Sequence, residues 1–259
     1  MSGLRRVVQR LAPRPPLICI GHSHTENVVA AAETAGVALE CFNFWRLKDG
    51  LIRNDEKVEL SAEIRTGLVA PVFSLIGGAV HHDIGLLVHP RPYDFTWPEQ
   101  PDLPFSEGAE IVPYEAVLAV MRARTLQYLQ IMAAIRAATQ GPVFHMQSPP
   151  IYAEEAVPAN DPGWVAFFGQ DRVIAPAWHR YKLWQVHSEI VRSYCAEIGI
   201  VFVPNPPQSI DSRGFMEARF HGTPAHANQA YGALVLRQMQ DLSFGGSVIG
   251  KMSRVVFGR

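Results

Sequence analysis

Short apolar runs that end in glycine and pass straight into helix-patterned segments constrain this chain more than any other feature. Residues 17–20 form such a run, entered from Pro15-Pro16 and left through Gly21, which is the profile of a buried strand. After it, Thr25 can cap a helix through Val28, Val29, Ala32 and Ala35, and Gly36 suits the left-handed position beyond the last turn. Residues 37–42 then read as a second strand. A strand, a helix and a strand in succession point to a crossover and parallel pairing.

The alternation continues. Residues 68–76 read as a strand ending at Gly77-Gly78. Residues 114–138 carry the strongest helical pattern, with Val117, Val120, Met121, Leu126, Leu129, Met132 and Ile135 at helical spacing. A strand over 142–146, a helix over 178–198 stopped by Gly199, a strand over 200–203 and a last helix from about 225 to 239 complete the series. Residues 43–67 are polar and poorly periodic, with a turn at Asp49-Gly50. Residues 89–112, broken by Pro90, Pro92, Pro98, Pro101 and Pro104, and residues 148–176 read as long irregular stretches; such stretches act as functional covers or stay disordered. There is no internal repeat. The expectation is an α/β fold, a three-layer α/β/α sandwich around a central parallel sheet of about five strands, with ligands bound at the carboxyl ends of the strands.

A chain of 259 residues can bury a sizeable core as one unit. The expected division is a basic arm over 1–16 (Arg5, Arg6, Arg10, Arg14), a folded domain over 17–241 and a tail over 242–259. A basic arm can touch phosphates or anionic lipid, or simply fray in solvent. With a formal net charge of −1 the chain offers no electrostatic case for nucleic acid as a partner. No apolar stretch reaches the roughly 18 residues of a membrane span, and prolines at 13, 15 and 16 interrupt any leader-like run. Three widely spaced cysteines argue against a disulfide framework. These features together predict a cytoplasmic protein, with Cys19 a small core residue. The oligomeric state has no signal in the sequence.

Three polar segments sit where strands end or a helix begins: Gly21-His22-Ser23-His24, Gly77-Gly78-Ala79-Val80-His81-His82-Asp83, and His221-Gly222-Thr223-Pro224-Ala225-His226-Ala227-Asn228. A serine in a tight strand-to-helix turn is exposed at the sheet edge, with backbone N–H groups pointing outward beside it. The same position also suits a plain helix cap. A hydroxyl becomes a useful nucleophile only with a base at hand. The imidazole of His226, with an ordinary pKa near 6.5, can take and return a proton near neutrality.

On those residues the chain resembles the SGNH/GDSL hydrolases. Gly21-His22-Ser23 looks like the family's Gly-Asp-Ser motif after the first strand, and His226-Ala227-Asn228 looks like its C-terminal histidine segment. The resemblance implies a flavodoxin-like sandwich, Ser23 as nucleophile, His226 as base, no cofactor and a small-molecule ester substrate, an acylated sugar or lipid. The chain departs from the pattern at three places: His22 stands for the Asp before the serine, Thr223 for the Asp three positions before the histidine, and Ala79 for the oxyanion-binding Asn of a Gly-x-Asn segment. One missing oxyanion donor costs ~10²–10³ in kcat and a missing orienting acid ~10⁴. Gly78, Ala79, His22, His81 and His82 are the candidates for the oxyanion or pocket, and His221, Asp211 or Asp83 for the orienting group. If nothing substitutes, the same fold is a binding or accessory protein whose catalysis has decayed. Ten histidines also raise a metal-dependent hydrolase, with His22-x-His24 and His81-His82-Asp83 as ligands; the expected number of strands is too small for the barrel such enzymes need, and no metal is expected.

Overall fold

The computed structural model describes residues 17–47, 49–54, 57–68, 71–153, 172–223 and 226–244. In chain order it holds β1 (Leu17–Gly21), α1 (Thr25–Ala35), β2 (Leu39–Asn43), β3 (Leu51–Asn54), β4 (Lys57–Leu60), α2 (Ala62–Gly67), β5 (Val72–Leu75) and α3 (Val80–Gly85). There follow β6 (Tyr93–Asp94), β7 (Glu110–Ile111), α4 (Tyr114–Ala138), β8 (Val143–Met146), α5 (Ala177–Ile198), β9 (Val201–Val203) and α6 (Gln229–Phe244).

The strands β2-β1-β5-β8-β9 form one sheet in that order, every pair parallel. Both faces are covered, as a parallel sheet requires. Side chains alternate along β1: Leu17 and Cys19 pack with Val28, Ala32, Tyr231, Val235 and Met239 of α1 and α6. Ile18 and Ile20 pack on the other face with Ile131, Met132, Ile135, Val191 and Cys195 of α4 and α5. That is the expected three-layer α/β/α sandwich, and its strand order is the flavodoxin-like one.

The chain leaves β1 toward β2 and later returns to β5 on the opposite side, so the crevice between β1 and β5 is the topological switch point. The two strand ends approach so closely there that a Cβ on Gly21 would stand 2.7 Å from the Leu75 carbonyl oxygen. The Ser23 turn leaves one strand of this crevice and Gly77-Gly78 leaves the other.

Several expectations are corrected in detail. Residues 43–67, polar and poorly periodic in sequence, hold regular elements: β3 and β4 pair as an antiparallel hairpin, and Ser61 caps α2 by accepting from the Ile64 N–H at 3.4 Å. The hairpin leaves most of its surface in solvent (Ile52 is 45% exposed), so its apolar alternation is too short to register. The third sheet strand is Val72–Leu75, shorter than the expected 68–76, and the last helix runs Gln229–Phe244 instead of 225–239. Residues 89–112 are irregular apart from β6 and β7 but firmly held. The buried Asp94 carboxylate meets Lys182 Nζ of α5 at 2.6 Å and accepts from the Ser106 N–H at 2.7 Å. The basic arm over 1–16 and the chain beyond Phe244 lie outside the described residues, as does most of 148–176. Among the described residues no helix is long and apolar enough to cross a membrane.

Candidate active site

The turn that carries Ser23 is built by its neighbours. Thr25, the first residue of α1, donates its hydroxyl to the His22 carbonyl at 2.7 Å, and the buried Asn43 amide donates to Thr25 Oγ1 at 3.0 Å. The Thr25 and Glu26 N–H groups donate to the His22 and Ser23 carbonyls, both at 3.0 Å. The expected cap is therefore corrected: His24, not Thr25, holds the N-cap position, without a side-chain cap bond. The Ser23 hydroxyl is engaged elsewhere.

It meets His226. The histidine lies in a tight loop in which the Gly222 N–H donates to the His226 carbonyl at 3.1 Å and the His226 N–H to the Thr223 carbonyl at 3.0 Å. Asn228 ties the loop by donating to the carbonyls of Arg219 and His221. The C-terminal end of the loop is fastened to α1: Asn27 donates to the Ala227 carbonyl, and Gln229 donates to the Ala30 carbonyl and the Thr34 hydroxyl. Behind it α6 crosses α1 at Gly232, where a Cβ would overlap the Asn27 carbonyl.

As a result Ser23 Oγ and His226 Nε2, on residues 203 positions apart, stand 2.8 Å from each other. On the far side of the ring His226 Nδ1 is 3.1 Å from Thr223 Oγ1. A neutral imidazole with its proton on Nδ1 donates to the Thr223 hydroxyl and leaves the Nε2 lone pair to accept from Ser23. Burial lowers the His226 pKa, against a smaller opposite pull from the Glu26 carboxylate, which favours the neutral ring.

The other expected site residues divide sharply. Ala79, His82 and Asp83 line the same cavity as Ser23 and His226, a half-open space of about 770 Å³. Burial raises the Asp83 pKa. Gly78 lies directly against His24, whose Cδ2 would stand 2.6 Å from a Cβ there. Among the described residues neither the Ser23 nor the Gly78 N–H donates to another group. Two expected orienting groups are corrected. Asp211 is consumed by its own turn, paired with Arg213 at 2.9 Å and accepting from the Phe215 N–H at 3.0 Å. His221 directs Nε2 at the Met216 carbonyl, 3.2 Å away, and packs on Tyr152. The place next to His226 Nδ1 belongs to Thr223, the residue that the sequence comparison treats as a gap.

His22 points away from the pair, its ring against Phe44 and Tyr128, whereas His24 packs beside His226 with ring centroids 5.1 Å apart. Side chains two positions apart diverge across the turn, so the supposed ligand pair is not one. His81 is buried, not in the pocket, its ring tilted against those of His82 (centroids 4.0 Å apart) and His187 (5.6 Å). Among the described residues no three His, Cys, Asp or Glu side chains converge on a point that could hold a metal. Asn43, Asn27 and Thr223 are the site residues that sequence reasoning missed. Of these only Thr223 left a signal, a hydroxyl three positions before the histidine.

No family model matches the chain and no curated protein is similar to it. Its structure is similar to that of a proposed acylhydrolase from Bacteroides fragilis (10% identity, 88% of this chain against 85% of that one, TM-score 0.45). It is also similar to an acetylxylan esterase from Geobacillus stearothermophilus (14% identity, 87% against 92%, TM-score 0.39). A third is a carbohydrate acetylesterase from Sinorhizobium meliloti (10% identity, 89% against 99%, TM-score 0.39).

Proposed function

We propose that this chain is a serine ester hydrolase of the SGNH type, with Ser23 as nucleophile and His226 as general base and acid. The contact of 2.8 Å between Ser23 Oγ and His226 Nε2 carries the reading. It falls within the hydrogen-bond reach a general base needs, before any substrate tightens it.

In the first half-reaction His226 Nε2 takes the Ser23 proton as Oγ attacks the ester carbonyl. The N–H groups of Ser23 and Gly78 are the donors for the oxyanion. Protonated His226 then gives its proton to the departing alcohol, leaving an acyl-serine. A water, deprotonated by the same imidazole, attacks that acyl group and restores the hydroxyl.

Thr223 takes the position of the orienting acid. A hydroxyl can hold the Nδ1–H tautomer, which is half of what the acid does, but it brings no charge to stabilise the imidazolium. Modest turnover is the consequence. The decisive experiment is hydrolysis of p-nitrophenyl acetate by the wild-type protein, Ser23→Ala and His226→Ala. Both variants should lose at least ~10³ in kcat. Turnover in Ser23→Ala equal to wild type removes the assignment.

A binding or accessory protein is the second reading, favoured by the uncharged Thr223 and by Ala79, which offers no amide to an oxyanion. It predicts ligand binding without turnover, unchanged by Ser23→Ala.

A further inference from the structure

We infer that the ester handled at Ser23 carries an aliphatic chain, seated in the cavity between α3, α4 and the segment around Val88. The inference rests on the Ser23–His226 reading and names its substrate class.

That cavity, about 770 Å³, is in the size range of sites for small organic ligands. Its wall is made by Trp45, Leu87, Val88, Val112, Val117 and Val120, and Ser23 and His226 belong to the same wall. Three of these large apolar residues are conspicuously open to solvent: Trp45 at 60%, Val120 at 49% and Val88 at 39%. Scattered exposed apolar residues need no explanation; gathered around one hollow that also contains a hydroxyl–imidazole pair, they mark a ligand groove. An acetyl group occupies a small part of such a volume. The lining also includes the polar side chains of His82, Asp83, His89, Tyr93, Arg124 and Arg172, but sugar hydroxyls set against the valines and tryptophan would be desolvated without partners. An alkyl chain covers those exposed apolar side chains.

The chain can belong to the acyl or to the alcohol half of the ester, and two substrate series separate these. One is p-nitrophenyl esters from acetate to octanoate; the other is alkyl acetates from methyl to octyl, followed by acid release. In one series kcat/KM should climb by about fourfold for each methylene that becomes fully buried. Val120→Glu, on an exposed face of α4, should flatten that climb, and Trp45→Ala should weaken it. Two flat series, or a climb that survives both substitutions, overturn the inference. Titration of Ser23→Ala with octanol and ethanol separates the two layers of the argument. Octanol binding that Val120→Glu abolishes supports the groove even if no ester is cleaved. Acetate turnover without chain-length dependence leaves the hydrolase reading standing and removes this one.

Discussion

Lowering the pH should unfold this protein well before its carboxylates titrate. His24, His145 and His187 are fully buried, and burial is the first cause that lowers their pKa from 6.5 to about 3, about 3 and about 4. The unfolded chain binds a proton at each near pH 6.5, whereas the folded chain refuses it. Stability is therefore unaffected above about pH 7, falls as the pH drops below 6.5, and stops falling from this source only near pH 3–4. At pH 5 each group costs about 2 kcal/mol, so the three cost about 6 kcal/mol. That compares with the ~5–15 kcal/mol total of an ordinary domain. His81 and His82, lowered in the same sense by burial and by their neighbouring rings, deepen the effect. Urea titrations followed by tryptophan fluorescence at pH 8, 6.5 and 5 measure it. The urea midpoint should fall steeply between the last two, with about three protons taken up on unfolding at pH 5. Unfolding free energies at pH 8 and pH 5 that agree within about 1 kcal/mol would mean that these imidazoles are charged in the folded protein, and would refute the reasoning.

The remaining expectations concern how the pair is held. Thr223→Val removes one hydrogen bond from the solvent-exposed side of His226 and should lower kcat about fivefold, the worth of roughly 1 kcal/mol; an unchanged kcat would show that the hydroxyl does not orient the ring. Thr223→Asp should raise kcat by ~10-fold or more and move the acid limb of the pH–rate profile to higher pH, because a carboxylate beside the ring favours its charged form. Gly232→Val forces α6 away from the Asn27 carbonyl, with an expected stability loss of ~1–3 kcal/mol and a drop in kcat as His226 leaves Ser23; a wild-type melting temperature and kcat would show that this crossing does not fix the site.

The strand–helix alternation was legible because the inner sheet strands β1, β5 and β8 are buried along their whole length, so their residues are mostly apolar and bounded by glycine or proline. The hairpin of β3 and β4 was not, since only one side of it is covered and no long run of either period results. Ser23 and His226 were legible through chemistry and position together: one lies in the turn after the first strand, the other in the loop before the last helix. The partner of His226 Nδ1 was missed for a physical reason. A search for an acid passes over Thr223, yet a neutral imidazole asks only for an acceptor at Nδ1, and a hydroxyl is one. Asp211 and His221 are near in sequence, but Asp211 closes its own turn with Arg213 and His221 answers the Met216 carbonyl. Asn27 and Asn43 carry no motif at all; their role exists only once α1, β2 and the His226 loop are packed together.

Thr223 and the buried histidines belong to one electrostatic arrangement. His24 lies 5.1 Å from His226 by ring centroids, and the repulsion of a charged His226 is the second cause, after burial, that holds the His24 pKa down. Neither ring nitrogen of His81 or of His187 has a hydrogen-bond partner among the described residues. A carboxylate at position 223 would stabilise a protonated His226, and by the same field would lower the cost of a proton on the rings behind it. A proton on His24 would in turn repel the one His226 must accept from Ser23. With an uncharged hydroxyl the imidazolium gains less, but every ring behind the site stays neutral and His226 remains the ring best placed to take a proton. In the proposed mechanism this shifts the burden of transition-state stabilisation onto the oxyanion donors, since the imidazolium receives no full counter-charge from position 223. Loss of a donor at Gly78 should therefore weigh more heavily here than in an enzyme that keeps its acid.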